Sequence, residues 1–287
     1  MTQWATFVGL TGVVTVLLLA LSRATESALI EPTERDAGSR ADRAEGAGVA
    51  TPPLEPAVEE RGVDDGRAPV VGHEEEPNPG DTLADSMSTG TLLANVALSQ
   101  GLFAALLVGA ALYAAIPPEA LGLDLSRAYV TEGVLYGTVA GMVLYAANEA
   151  GAAGARRAGI DHDEGLRELL APDSAGGWLV LLVGVLPLIA IFEELLFRAA
   201  LIGAVSAGYG LSPWPLAIGS SIAFALGHGI QGTAGIVVTG LLGFALAALF
   251  IATGSLLAVV VAHYLVNALE FVVHEGIGLE PGGAETA

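Results

Sequence analysis

The chain has 287 residues, 53% of them hydrophobic, a mean hydropathy of +0.63 and a formal net charge of −20. It contains no cysteine, which excludes disulfides and thiolate chemistry. Its acidity argues against nucleic acid as a partner. The hydropathy exceeds what one soluble core needs, so the apolar and acidic residues must belong to different regions.

Seven apolar runs follow one another: Gln3–Leu21, Thr91–Ile116, Val134–Ala150, Trp178–Ser206, Pro213–Leu226, Thr233–Ala252 and Ser255–Val273. A bilayer span needs about 20 apolar residues, since each adds 1.5 Å across a hydrocarbon core about 30 Å thick. The Pro213 run is short for that. In lipid every backbone polar group must be satisfied within the protein, so all seven are helix candidates. The expected fold is all-α: a polytopic membrane helical bundle of about seven transmembrane helices, with a site between core helices.

The first run has the length of a long signal-peptide core, but no basic residue precedes it and Arg23 follows it. Residues 1–22 are therefore read as a retained amino-terminal transmembrane helix. Residues 23–90 are rich in Pro, Gly, Ala, Glu and Asp and poor in aromatics. Such a stretch buries too little apolar surface to offset its ordering entropy and reads as an acidic disordered linker. Residues 91–275 form the expected compact unit, and 276–287 a tail. Arg156, Arg157 and Arg167 precede the fourth run. Short basic loops stay in the cytoplasm, which places the amino terminus outside and the carboxyl terminus inside. Trp4, Trp178 and Trp214 each open a run, as interfacial anchors do.

Three runs carry polar groups in unusual places. The fourth contains Glu193, Glu194 and Arg198, the fifth Phe224 and His228, the seventh His263 and Asn267. One charge near the centre of a membrane helix costs about 2.5–3.5 kcal/mol, so three left unpaired cost on the order of 8–10 kcal/mol. A functional site within the bilayer is the default reading. Glu194 and Arg198 are four apart, share a helix face and can pair. Glu193 is turned about 100° from Glu194 and is free to face a cavity. Phe224/His228 and His263/Asn267 also share faces. Pro187 can kink the fourth helix beside the Glu pair. Each element has a plainer reading: an ion-pair clamp, a packed or wetted His, an Asn joining helices. Their occurrence together in three neighbouring runs is harder to explain that way. His73, His162 and His274 are assigned no role.

Glu-Glu-x-x-x-Arg, Phe-x-x-x-His and His-x-x-x-Asn, each in its own apolar run and in this order, resemble the CPBP family of intramembrane proteases. That family is also called Abi or CAAX protease and includes the type II prenyl-protein endopeptidases. The resemblance covers roughly Leu92 to Val273. It implies that Glu193 activates a water and that His263 helps to position it. His228 and Asn267 would stabilise the oxyanion, and Glu194 and Arg198 would support the site. Peptide hydrolysis needs such a base and such donors. Glu193, His228 and His263 also make up a known catalytic zinc set. The His-Glu-x-x-His motif of zincins is absent, and a metal-free mechanism uses the same side chains. Zn2+ therefore stands close behind metal-free water activation.

The implied partners are the lipid bilayer and a membrane-anchored protein or prenylated peptide as substrate. The lysine-free acidic exterior resembles that of haloarchaeal proteins and suits a salt-loving host. Two other functions compete. One is a non-catalytic scaffold or bacteriocin-immunity protein of the same fold, against which the intact motifs argue. The other is an ion-coupled transporter, but no matched pair of interrupted helices appears in two halves.

Overall fold

The computed structural model describes residues 1–24, 88–157, 165–229 and 232–277. Most of the proposed linker and the last ten residues lie outside the described residues. The described part is helical throughout its elements, without a strand. Among the described residues, six helices are long and apolar enough to cross a membrane, and a seventh apolar helix is shorter.

The helices are α1 (Trp4–Ala24), α2 (Thr89–Tyr113), α3 (Arg127–Arg157), a short α4 (Gly165–Leu170), α5 (Ala175–Tyr209), α6 (Pro213–Leu226), α7 (Gly232–Thr253) and α8 (Leu256–Gly276). Local chemistry sets their ends. The Ser88, Ser174 and Ser255 side chains accept from the backbone N–H groups of Thr91, Gly177 and Ala258, capping α2, α5 and α8. Gly210 and Gly254 stop α5 and α7 with φ near +65°, a conformation that glycine adopts without strain. The second apolar run was expected to reach Ile116. The helix stops at Tyr113, because Ala115 turns left-handed and Pro117 and Pro118 lead into a single 3-10 turn.

Contacts at the helix ends give the topology. Gln3 N donates to Ala114 O, so α1 begins where α2 ends. Ser22 Oγ donates to Gly227 O, so α1 ends where α6 ends. Leu256 N donates to Gly122 O, which puts the start of α8 beside the loop into α3. Successive long helices thus alternate in direction, with the 14-residue α6 taking its turn although it is only about 21 Å long. The first residue and the end of α8 lie at opposite ends of the bundle.

α5 is the centre: half of its most apolar stretch is buried, against 11–17% for α1, α2 and α3, which face outward. Phe192, Leu196 and Phe197 of α5 pack with Phe7 and Val14 of α1, Leu107 of α2, Phe224 of α6, Phe250 of α7 and Val259 of α8 in one apolar core. The first helix is therefore part of this core, with Phe7 only 1% exposed.

α3 and α8 run parallel in close contact. A Cβ built on Gly133, Gly137 or Gly141 of α3 would lie within about 3 Å of Leu257, of Ala258 and Val261, or of Ala262 and Leu265 respectively. Small residues at this spacing let backbones approach where lipid provides no hydrophobic drive between helices. This glycine stripe fixes the height of α8, and with it the height of His263.

Candidate active site

Glu193, Glu194 and Arg198 sit about midway along α5, where the helix changes its winding. A π turn at Leu181–Val185 precedes Leu186–Glu194, and a longer π segment, Leu195–Ala204, follows. Pro187 comes directly after the first π turn, whose altered ladder accommodates the missing N–H. The second segment leaves room for an outside donor: Ser220 Oγ of α6 donates to Phe197 O at 2.6 Å.

Arg198 is 1% exposed and Glu194 is fully buried. Arg198 Nη1 donates to Glu194 Oε1 at 2.7 Å, and Nη2 donates to Gly243 O of α7 at 2.9 Å. The guanidinium also lies over the Phe224 ring, 4.7 Å from its centroid. Three helices thus enclose one cation, through a carboxylate, a carbonyl and an aromatic face. A Cβ on Gly243 would lie 2.9 Å from Phe224 Cδ1, so glycine there lets the ring and the carbonyl meet the same guanidinium.

His263 of α8 is 3% exposed and stands between the two glutamates. Its Nδ1 lies 2.7 Å from Glu194 Oε1, and its Nε2 lies 3.6 Å from Glu193 Oε2. The carboxylate of Glu194 accepts, so Nδ1 carries the proton. In the neutral ring Nε2 is then an acceptor facing Glu193. The 100° turn between the glutamates does not send Glu193 to a separate place; it brings the two carboxylates to opposite nitrogens of one imidazole. The 3.6 Å separation is too long for a direct hydrogen bond and is the kind of gap one water bridges.

His228 lies just beyond the end of α6 and is half-buried. Its Nδ1 donates to Phe224 O at 2.8 Å, and its ring packs on Phe224 with centroids 4.6 Å apart. Phe224 meets His263 edge-on at 6.0 Å, so one phenyl ring separates and orients both imidazoles and Arg198. Asn267 is half-buried one turn beyond His263 and makes no hydrogen bond to these groups among the described residues. The structure thus joins Glu193, Glu194, Arg198 and His263 directly, attaches His228 through Phe224, and leaves Asn267 beside them.

Gly243 and Ser220 were missed by sequence reasoning. A glycine or serine in an apolar run carries no signal until its neighbour is known.

A zinc centre requires three ligand atoms converging on one point. Among the described residues, the only three such side chains with ligand atoms within 4.8 Å of one another are Glu149, Glu270 and His274. Glu193, His228 and His263 are not so placed. No step below is routed through a metal.

No curated protein and no solved structure matches the chain. Residues 175–269 match the family model described as type II CAAX prenyl endopeptidase Rce1-like. The matched segment runs from the first residue of α5 almost to the end of α8, and it contains all six polar residues of the site. It lies within a chain of several apolar helices, as expected of a multi-pass membrane protein. Residues 175–269, about a third of the chain, are thus similar to the Rce1-like domain of type II CAAX prenyl endopeptidases.

Proposed function

We propose that the chain is an intramembrane endopeptidase that hydrolyses a peptide bond of a membrane-anchored substrate, using water activated by Glu193 and His263 without a metal. The observation that carries this reading is one buried imidazole gripped by two carboxylates, at 2.7 Å on Nδ1 and 3.6 Å on Nε2. A water between Glu193 and His263 Nε2 donates one hydrogen to each, which leaves an oxygen lone pair for a carbonyl carbon. Glu193 takes the proton as the C–O bond forms, and returns it to the amine as the C–N bond breaks.

The oxyanion needs donors. Asn267 offers its amide N–H groups. His228 spends its Nδ1 proton on Phe224 O, so its other nitrogen donates only when the ring is an imidazolium. Arg198 stays out of the reaction and holds Glu194 in place. The candidate substrates are prenylated CAAX-type proteins, by the matched domain, or other membrane-anchored peptides. Arg156, Arg157 and Arg167 lie at the bundle end where α8 finishes, which favours that end as cytoplasmic.

The test needs no chosen substrate. Protein termini are compared in membranes from cells expressing the parent or Glu193→Gln at matched levels. Termini in or near membrane anchors that appear only with the parent are expected. Identical profiles, with both proteins folded and inserted, would transfer the reading to a non-catalytic protein of this fold.

A further inference from the structure

A second polar cluster lies at the end of the bundle where α3 and α8 finish. His274 Nε2 is 2.8 Å from Glu149 Oε1 and 3.7 Å from Glu270 Oε2, and the three ligand atoms lie within 4.8 Å of one another. Eleven residues separate His274 from His263, about 16 Å along α8, so this cluster is distinct from the candidate active site.

We propose that Glu149, Glu270 and His274 bind one Zn2+ ion. Three features carry this. First, the donor set is right: an imidazole and two carboxylates suit zinc, at about 2.0–2.2 Å from each ligand atom. A tetrahedral ion at those lengths sets its ligand atoms about 3.3–3.6 Å apart. The His274–Glu149 and His274–Glu270 separations of 2.8 and 3.7 Å bracket that spacing, and Glu149 and Glu270 offer oxygens within 4.8 Å of each other. Second, the ligands are supported as metal ligands are. Asn148 Nδ2 donates to the far oxygen of Glu270, leaving Oε2 turned to His274, and Arg167 Nη1 lies 3.4 Å from that Oε2. Arg167 Nε is 2.7 Å from Glu275 Oε1, so its main bond is outside the ligand set. Third, the charge and access fit a divalent cation. Arg167 pairs with Glu270 and Glu275, and Glu149 lies against His274, so carboxylates outnumber the guanidinium among these groups. The His274 side chain is 8% exposed while Glu149 is 26% exposed, which gives a seated ligand set with one open side.

The winding of α8 contributes. Its last turns, Phe271–Gly276, are π-helical and bring Glu270 and His274 to the same side of the helix, facing α3. On binding, the ion replaces the His274 Nε2 proton, which leaves to solvent. The bridge then pins the end of α8 to α3, beyond the glycine stripe that sets their contact.

The test uses the full chain purified in detergent, stripped with chelator and dialysed against micromolar Zn2+, with bound metal read by elemental analysis. One zinc per chain is expected for the parent. It should persist in Glu275→Gln, whose carboxylate is outside the set, and in Glu193→Gln, which removes the carboxylate of the candidate active site. It should fall at least tenfold in affinity in both Glu149→Gln and His274→Gln. Zn2+ should raise the thermal unfolding temperature of the parent and leave that of Glu149→Gln unchanged. A parent that retains no zinc, zinc kept by both Glu149→Gln and His274→Gln, or zinc lost with Glu193→Gln would each overturn the proposal. None of these readouts depends on proteolysis.

Discussion

Gly137→Ala should disable the site without touching any of its residues. The new Cβ would lie 2.6 Å from Ala258 O and 2.7 Å from Val261 Cβ, about 0.8 Å inside the 3.4 Å at which ordinary contact begins. Ala258 O is backbone, so it cannot rotate away, and α8 must retreat by most of that amount. His263 lies on the face of α8 opposite Ala258 and Val261, so a retreat of about 0.8 Å drives its ring toward Glu194. A His263 Nδ1–Glu194 Oε1 bond already 2.7 Å long cannot shorten by that much without turning the imidazole or displacing α5. A misplacement of about 1 Å can lower a rate about 100-fold, and overpacking adds about 1–3 kcal/mol of destabilisation. The assay is cleavage of a substrate found by terminus profiling, run beside thermal unfolding of the same purified protein. Gly151→Ala is the control, because a Cβ there meets nothing within 4 Å. It should keep activity and gain up to about 1 kcal/mol from helix propensity. If Gly137→Ala matches the parent in both readouts, α8 is not held by the glycine stripe and the argument fails.

Arg198→Met should destabilise by about 3–5 kcal/mol, because it strands the fully buried Glu194. Adding Glu194→Gln to it should recover much of that loss in denaturant unfolding. Gly243→Ala should push the Phe224 ring away from Arg198 and lower both unfolding temperature and cleavage, since the Cβ falls 2.9 Å from the ring. Ser220→Ala leaves Phe197 O in the π segment without its side-chain donor and should lose about 1–3 kcal/mol, read by thermal unfolding.

The helices were legible because lipid permits little else: runs such as Thr233–Ala252 have one viable backbone form in a bilayer. Glu193, Glu194 and Arg198 were legible for the same reason, since charge in an oily run demands an account. Pairwise packing was not legible. Gly133, Gly137 and Gly141 read as generic membrane glycines until α8 is known to lie against them. The winding of α5 has no period in the sequence, because a π turn is decided by what packs outside it, here Pro187 and the Ser220 hydroxyl. His274 carried no assigned role in the sequence, and Glu149 and Glu270 no reading at all. They meet because α3 and α8 run parallel, and nothing within either segment reports that.

The proposed mechanism also explains why a cation two contacts from the reacting atoms belongs to the site. Arg198 fixes Glu194 from one side, and Glu194 then accepts from His263 Nδ1. That bond selects the tautomer, so the lone pair of Nε2 faces Glu193 rather than solvent. Were the proton on Nε2 instead, the ring would donate to Glu193 and occupy the base that should receive a proton from water. Gly243 O and the Phe224 face add the contacts that hold Arg198 in this pose. Motif residues from α5, α6 and α8 and an unmarked glycine from α7 thus act on one variable, the position of a single proton on His263. A lone His in a membrane helix cannot set that position by itself, which is why the Glu-Glu-x-x-x-Arg segment must be read together with α8.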